Sequence, residues 1–244
     1  MSRRVHVPHI RPGNNPLDAT QAHHLRDVLR LTVDSTVELF DDAGSTASAV
    51  IIKIDAASVV VRVDQIDHHQ SDQTMTIAVA VPKGERADWM VEKLSELGIW
   101  RFVPLTTDRG VVRPGGINKL DRWKRLAIES AKQSRRSGVM KIEPLVSTKE
   151  AIAATESSWY CSTGTDATPI AGALLAHPPK PGLWIFVGPE GGWSDNELTQ
   201  FQQANATPVG LTQTILRVET AAIAVAAILA CGKGNAECKM QNAE

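Results

Sequence analysis

Leu183-Trp-Ile-Phe-Val-Gly-Pro-Glu-Gly-Gly-Trp-Ser-Asp-Asn-Glu197 decides the fold of this chain. Residues 183–187 are apolar, rich in aromatic and β-branched types, and read as a buried strand. Gly188-Pro-Glu-Gly-Gly192 breaks that pattern. Three glycines in five residues imply unusual backbone angles or the close approach of another group. Ser194-Asp-Asn-Glu197 has the spacing of a capping box and starts a helix that runs to about Ala204. A buried strand therefore ends in a bare-backbone loop that becomes a helix N-terminus. Such loops offer free N–H groups beyond the carboxyl end of a strand, where α/β proteins bind ligands. The alternative is a tight turn without a ligand, since the loop is neither G-x-G-x-x-G nor a P-loop.

Downstream, a strand is expected at 208–211. Leu211-Thr-Gln-Thr-Ile-Leu-Arg-Val-Glu-Thr220 then leads into the last helix. Arg217, Glu219 and Thr220 stand at the start of that otherwise apolar helix, where side chains and N–H groups point into a site. Upstream, strands are expected at 75–81, 100–105 and 159–162. Helices are expected from after Trp89 to Leu97, over 118–136, and near 149–155 and 167–176. Leu120, Trp123, Ala127, Ile128 and Ala131 form the packing face of the longest of these. Strands alternating with helices argue for a parallel α/β sheet.

Gly188-Pro-Glu-Gly-Gly192 and Ile215-Leu-Arg-Val-Glu-Thr-Ala221, at this separation, resemble the bacterial 16S rRNA uridine-N3 methyltransferases of the SPOUT class. Similar matches occur at Lys83-Gly-Glu-Arg86, in the Lys-x-x-Glu-Leu-Gly run from Lys93 to Gly98, and at Ala131-Lys-Gln-Ser-Arg135. The loop from Thr106 to Arg113 resembles the family's Thr-x-Arg-Ser, with Gly110 in place of Ser. The resemblance covers nearly the whole chain. It implies an α/β fold in which a C-terminal SPOUT trefoil-knot methyltransferase domain follows a small PUA-like RNA-binding β-barrel domain. It implies S-adenosylmethionine as cofactor, held by Val187, Gly188, Pro189, Glu190, Gly191, Gly192, Leu211, Ile215, Leu216, Arg217 and Thr220. It also implies 16S rRNA or the small ribosomal subunit as partner, and a homodimer. The family's Leu-Gly-Pro-Arg before Ile-Leu-Arg is replaced by Leu211-Thr-Gln-Thr214. Cofactor contacts from this backbone then require that Thr212 keep φ below zero.

The expected division is a PUA-like domain over 1–70, a linker over 71–74 and the methyltransferase domain over 75–244. In the first part, short strands are expected at 5–7, 36–41, 47–54 and 59–66, with Asp42-Ala-Gly44 as a turn signal. One helix over 18–31 carries Ala22, Leu25, Val28 and Leu29 on one face. His24-Leu-Arg-Asp-Val-Leu-Arg30 and the run from Leu39 to Gly44 carry the PUA-like resemblance. Arg3 and Arg4 sit near the family's N-terminal arginine, though Val-His-Val replaces its aromatic pair. The polar run 68–74 reads as a linker, and His68-His69 lacks the partners of a metal site.

The chain has 244 residues and a net charge of −1, which alone predicts no general affinity for nucleic acid. The distribution is uneven, however. Between Arg101 and Lys141 stand eleven basic residues against three acidic ones, a plausible phosphate-binding footprint. Candidate RNA contacts are Arg26, Arg30, Lys83, Arg86, Arg109, Arg113, Arg125, Gln133 and Arg135. Three cysteines without metal-ligand spacing, and no apolar run after Arg3 and Arg4, lead us to expect a cytoplasmic protein without metal. The apolar run 221–231 is too short to span a bilayer and reads as a buried helix or a subunit interface.

A sulfonium methyl is already activated, so an enzyme of this kind must chiefly position it in line with the acceptor. N3 of uridine carries a proton and becomes nucleophilic when that proton leaves. A carboxylate, Glu190 or Glu219, would accept the proton. An arginine, Arg109 or Arg217, would stabilise the charge left on the base. Both assignments stand at this point, and Arg109, Arg217 and Glu219 are the catalytic candidates. N3 lies on the Watson–Crick edge, so the base must be unpaired or flipped out. The competing readings are an RNA-binding protein of this fold without catalysis, a SPOUT methyltransferase acting on another RNA such as tRNA, and a nucleotide-dependent enzyme.

Overall fold

The computed structural model describes residues 3–56, 58–69, 75–110, 117–178 and 182–241. The chain divides into two compact units. One comprises residues 1–71 with 128–139, the other residues 72–127 with 140–244.

The first unit is built on one sheet. Its strands are β1 (Arg4–His6), β2 (Gly13–Pro16), β3 (Thr36–Phe40), β4 (Ser45–Ile54), β5 (Val59–Val63) and β6 (Asp67–His68), in the order β1-β3-β4-β5-β2 with β6 on β4. β1 lies parallel to β3 and the other pairs are antiparallel. In β5, Val59, Val61 and Val63 are buried while Arg62 faces solvent, the alternation of a half-covered sheet. Helix α1 (Ala19–His23) is capped by Asp18, whose Oδ1 accepts from Gln21 N at 2.8 Å. It continues over residues 24–28 as a wider turn, with Leu29 N bonding His24 O. Arg30, at φ 52°, is already outside the helix, which stops short of the expected Leu31.

Three departures in this unit have local causes. β2 has no apolar alternation to reveal it; its one buried residue, Asn15, bonds Arg11 O and Gly13 O through its side chain. β5 ends at Val63 rather than at 66. His68 pairs with Ser45 in β6, and His69 Nε2 meets Thr46 Oγ1 at 2.7 Å, so the polar run begins as sheet edge rather than linker. Residues 70–74, which include the expected linker, lie outside the described residues. Arg4 is buried: it pairs with Glu38 at 3.0 Å, donates to Ala131 O and Arg136 O, and lies over the Phe40 ring.

The second unit is a parallel sheet in the order β10-β8-β7-β13-β11-β14-β12, with β9 on β8. The strands are β7 (Thr76–Ala80), β8 (Arg101–Thr106), β9 (Lys141–Ile142), β10 (Val146–Ser147), β11 (Ser158–Cys161), β12 (Thr168–Pro169), β13 (Trp184–Val187) and β14 (Thr207–Gly210). Between them run α2 (Glu85–Glu96), α3 (Ile117–Gln133, of which residues 128–133 belong to the first unit), α4 (Thr148–Ala153), α5 (Ile170–Ala176) and α6 (Asp195–Gln203), and α7 (Val218–Gln241) follows. β7 and β13, at the centre, are buried at every residue, as a parallel sheet covered on both faces requires. Phe201 of α6 is fully buried, stacked on Tyr160 and edge-on to Phe186 and Trp193. On α3, Trp123 is buried and donates from Nε1 to Asp88 Oδ1 at 2.8 Å. β9, β10 and β12 have two residues each, too few to carry a periodicity. α5 starts at Ile170 instead of 167 because Thr168 and Pro169 pair with β14.

Candidate functional site

Every strand pair in the second unit is parallel, so the loops after β8, β11, β13 and β14 leave from one edge of the sheet. Three of them, with Arg109 of the fourth, line a cavity of about 500 Å³. The glycine loop supplies residues 187–193, the loop after β14 supplies Leu211, Thr212, Thr214, Ile215 and Leu216, and the loop after β11 supplies Ser162, Thr163, Gly164 and Asp166. A smaller cavity adjoins it, bordered by Ala167, Pro169, Gly210 and Gln213.

The glycine loop is shaped by three constraints. Gly192 takes φ +71°, open to glycine at little cost. Gly192 N closes a turn on Pro189 O at 2.8 Å. A β-carbon on Gly188 would lie 2.8 Å from the Trp193 ring, which is itself held by a 2.9 Å bond from Nε1 to Cys161 O. Gly191 faces Arg109 instead: its β-carbon would lie 3.6 Å from Arg109 Cβ. Arg109 Nη1 donates to Gly191 O at 3.0 Å, so this guanidinium sits against the loop. The capping box is formed, with Ser194 Oγ accepting from Glu197 N and Glu197 Oε2 accepting from Ser194 N. Burial pushes the Cys161 thiol up to about 12, although part of the residue reaches solvent.

The structure brings together most of the residues nominated for the cofactor. Val187, Gly188, Pro189, Glu190, Gly191, Gly192, Leu211, Ile215 and Leu216 all line the cavity. Arg217 and Thr220 are exposed at the start of α7 and are not among the lining residues. Glu219 is buried, its Oε1 3.8 Å from Arg86 Nε and its Oε2 without a hydrogen-bond partner. Thr212 is not among the described residues with positive φ, and its hydroxyl bonds Thr214 O at 2.7 Å, closing the altered loop on itself.

The RNA candidates fall in both units. Lys83 and Arg86 are exposed after β7, and Arg125 is exposed on α3. In the first unit, Arg30, Gln133 and Arg135 are exposed. Arg26 is engaged by its own unit: it pairs with Asp27 at 2.6 Å and donates to Asp55 O and Ala56 O. Arg113 lies outside the described residues. The basic stretch 101–141 is also partly neutralised: Arg101 and Lys141 pair with Glu143, and Arg122 pairs with Asp88. The loop after β11 was missed at the sequence level, although it follows an expected strand and obeys the same edge rule as the glycine loop. Among the described residues no group of three or more His, Cys, Asp or Glu is placed to hold a metal, and no helix is long and apolar enough to cross a membrane.

Comparison with known proteins agrees with this geometry. The family model described as an RNA methyltransferase domain matches residues 69–230, and one described as an RNA methyltransferase PUA domain matches residues 17–64. A ribosomal RNA small subunit methyltransferase E of a Synechocystis species is 32% identical over 84% of this chain and 69% of its own. The protein of that name from Bacillus subtilis is 26% identical over 82% of this chain and 83% of its own. The crystal structure of a ribosomal RNA small subunit methyltransferase E from Neisseria gonorrhoeae, bound to S-adenosyl methionine, superimposes with a TM-score of 0.81 at 26% identity, covering 93% of this chain and 96% of that one. With a PUA domain ahead of a SPOUT α/β fold, and matches that run through nearly its whole length, the chain belongs to the RNA methyltransferase family of the ribosomal RNA small subunit methyltransferases E.

Proposed function

We propose that the protein transfers a methyl group from S-adenosylmethionine to N3 of a specific uridine in 16S rRNA. The observation that carries this reading is the cavity at the carboxyl edge of the parallel sheet, with Arg109 bonded to the glycine loop that forms its wall. The cavity residues fit the cofactor. Gly188 and Gly191 present backbone in place of side chains, and the carboxylates of Asp166 and Glu190 suit a ligand with positive charge. The bound cofactor would supply a methyl group on a sulfonium, ready for transfer.

This chain's own residues then have two tasks. The loops after β11, β13 and β14 hold the donor in one orientation and exclude water from it. Arg109 stabilises the negative charge that the uracil ring acquires when N3 loses its proton. Between the carboxylates considered as base, the placement favours Glu190, which lines the cavity, over Glu219, which does not. We further propose that the protein acts in the cytoplasm as a homodimer, on 16S rRNA or the assembled small subunit.

The test is mass mapping of small-subunit rRNA from cells lacking the gene, complemented with the wild type or Arg109→Ala. The wild type should restore a methylated uridine and Arg109→Ala should not. Calorimetry with Gly191→Val tests the cofactor site, because the added side chain projects at Arg109 and should abolish affinity for S-adenosylmethionine. An unchanged rRNA map, together with modification of tRNA, would favour the tRNA reading. Binding of rRNA without saturable binding of S-adenosylmethionine would favour the non-catalytic one.

A further inference from the structure

Two helices of the second unit begin with the same motif, and the two motifs sit in different environments. At α4, Ser147 and Glu150 form a capping box on the surface, and the hydrogen bonds of Glu150 go to Ser147. At α6, Ser194 and Glu197 form the same box, but Glu197 is 2% exposed. Its Oε2 accepts from Ser194 N at 2.9 Å, as the box requires. Its Oε1 does something no cap needs: it accepts from Asp108 N at 3.2 Å and from Thr148 Oγ1 at 2.7 Å. Asp108 is bound a second time, because Ser194 Oγ donates to Asp108 Oδ2. The next residue is Arg109, whose Nη1 reaches Gly191 O at 3.0 Å.

We propose that Glu197 is a positioning residue for methyl transfer, holding the loop after β8 so that the Arg109 guanidinium rests at the wall of the cavity. An exposed arginine on a free loop samples many rotamers, and fixing its backbone at the preceding residue removes much of that freedom. A buried carboxylate suits this task because it accepts hydrogen bonds and donates none, so backbone N–H groups from two segments converge on it. The two oxygens divide the work: Oε2 closes the cap of α6, and Oε1 holds the residue before the arginine. The inference rests on the methyl-transfer reading and on the role of Arg109 in it.

The experiment is a double-mutant cycle on single-turnover methylation of small-subunit rRNA, at saturating S-adenosylmethionine and RNA. Glu197→Gln keeps the shape of the side chain but turns an amide N–H₂ toward a backbone donor. It should slow methyl transfer about 10- to 100-fold, the scale of an ångström-sized misplacement. Dissociation constants for cofactor and RNA should stay within about threefold, since the lost interaction acts in the transition state. The variant with both Arg109→Ala and Glu197→Gln should be no slower than Arg109→Ala alone, because Glu197 acts through Arg109. Glu150→Gln, which loses a cap only, should leave the rate unchanged. If Glu197→Gln fails to fold, Thr148→Val serves in its place: it removes one donor from Oε1, and should give a smaller loss that likewise vanishes in the Arg109→Ala background. A normal rate for the folded Glu197→Gln protein, or losses that multiply with those of Arg109→Ala, would overturn the proposal while leaving the function standing. A normal rate for Arg109→Ala would remove the role of Arg109 and this proposal with it. Failure of the wild type to methylate would instead strike the methyl-transfer reading.

Discussion

A β-carbon at Gly188 would meet three atoms of the Trp193 ring between 2.8 and 3.1 Å. The ring cannot retreat cheaply, because its Nε1 is bonded to Cys161 O and it packs near-perpendicular against the Phe201 ring. Gly188→Ala should therefore overpack the core beneath the cavity. The expected cost is about 1 to 3 kcal/mol, seen as a fall of several degrees in Tm, with the cofactor-induced rise in Tm reduced as well. A variant with wild-type Tm would show that the ring moves freely. The neighbouring thiol makes a prediction about pH. With Cys161 pushed up to about 12, its reactive thiolate is on the order of one part in ten thousand at pH 8. Brief treatment with iodoacetamide at that pH should leave Cys161 unmodified in the folded protein by peptide mass mapping, while the exposed Cys231 is alkylated. Raising the pH toward 12 increases the thiolate fraction, so labelling of Cys161 should rise with pH until the fold is lost. Labelling at pH 8 as complete as that of Cys231 would contradict the shift.

At the scale of elements, the wide turn at the end of α1 gives Arg26 its task. The guanidinium ties this turn to the β4–β5 connection through Asp55 O and Ala56 O, and Asp27 anchors it there; the same guanidinium holds the Asp27 carboxyl down at about 2. Arg26→Ala should therefore act on stability, seen as a lower Tm, and leave the salt dependence of RNA binding unchanged. Arg125→Ala, an exposed cation on α3, should do the reverse and shallow the slope of log K against log salt by about one unit. Filter binding across a salt series, with a melting curve for each variant, separates the two. This contrast marks where the sequence was readable. The strand, loop and capping box over 183–197 were legible because apolar pattern, glycine and cap spacing agree there. β2, β9, β10 and β12 were not, because strands of two to four residues carry no period. The part Arg26 plays was hidden because its acceptors are carbonyls about 30 positions away, and no local pattern encodes them. Glu197 was visible only as a cap, since the spacing that predicts the box is blind to what its second oxygen meets.

At the scale of the whole molecule, α7 raises the question of what covers it. Ala222, Val225, Ala226 and Leu229 are buried in the second unit, the expected packing face of a long helix. Ile223, Ala224, Ala227, Ile228 and Ala230 are only partly buried, so a second face of the same helix is apolar and wet. α7 packs beside α2, and α2 carries Trp89, 48% exposed. Apolar side chains left partly in water on neighbouring helices suit an interface, and a second copy of the chain can bury them by two-fold pairing. Light scattering at micromolar concentration should therefore give twice the chain mass of 26.4 kDa. Ile228→Glu places a charge on the half-buried face without entering the core, and should give the mass of one chain with the melting transition preserved. If each cavity draws on the partner, the same variant should lose methyl transfer along with dimerisation; if each chain is complete alone, activity per chain should survive. A wild-type protein that runs as a monomer would refute the pairing and leave Trp89 and the outer face of α7 for the RNA.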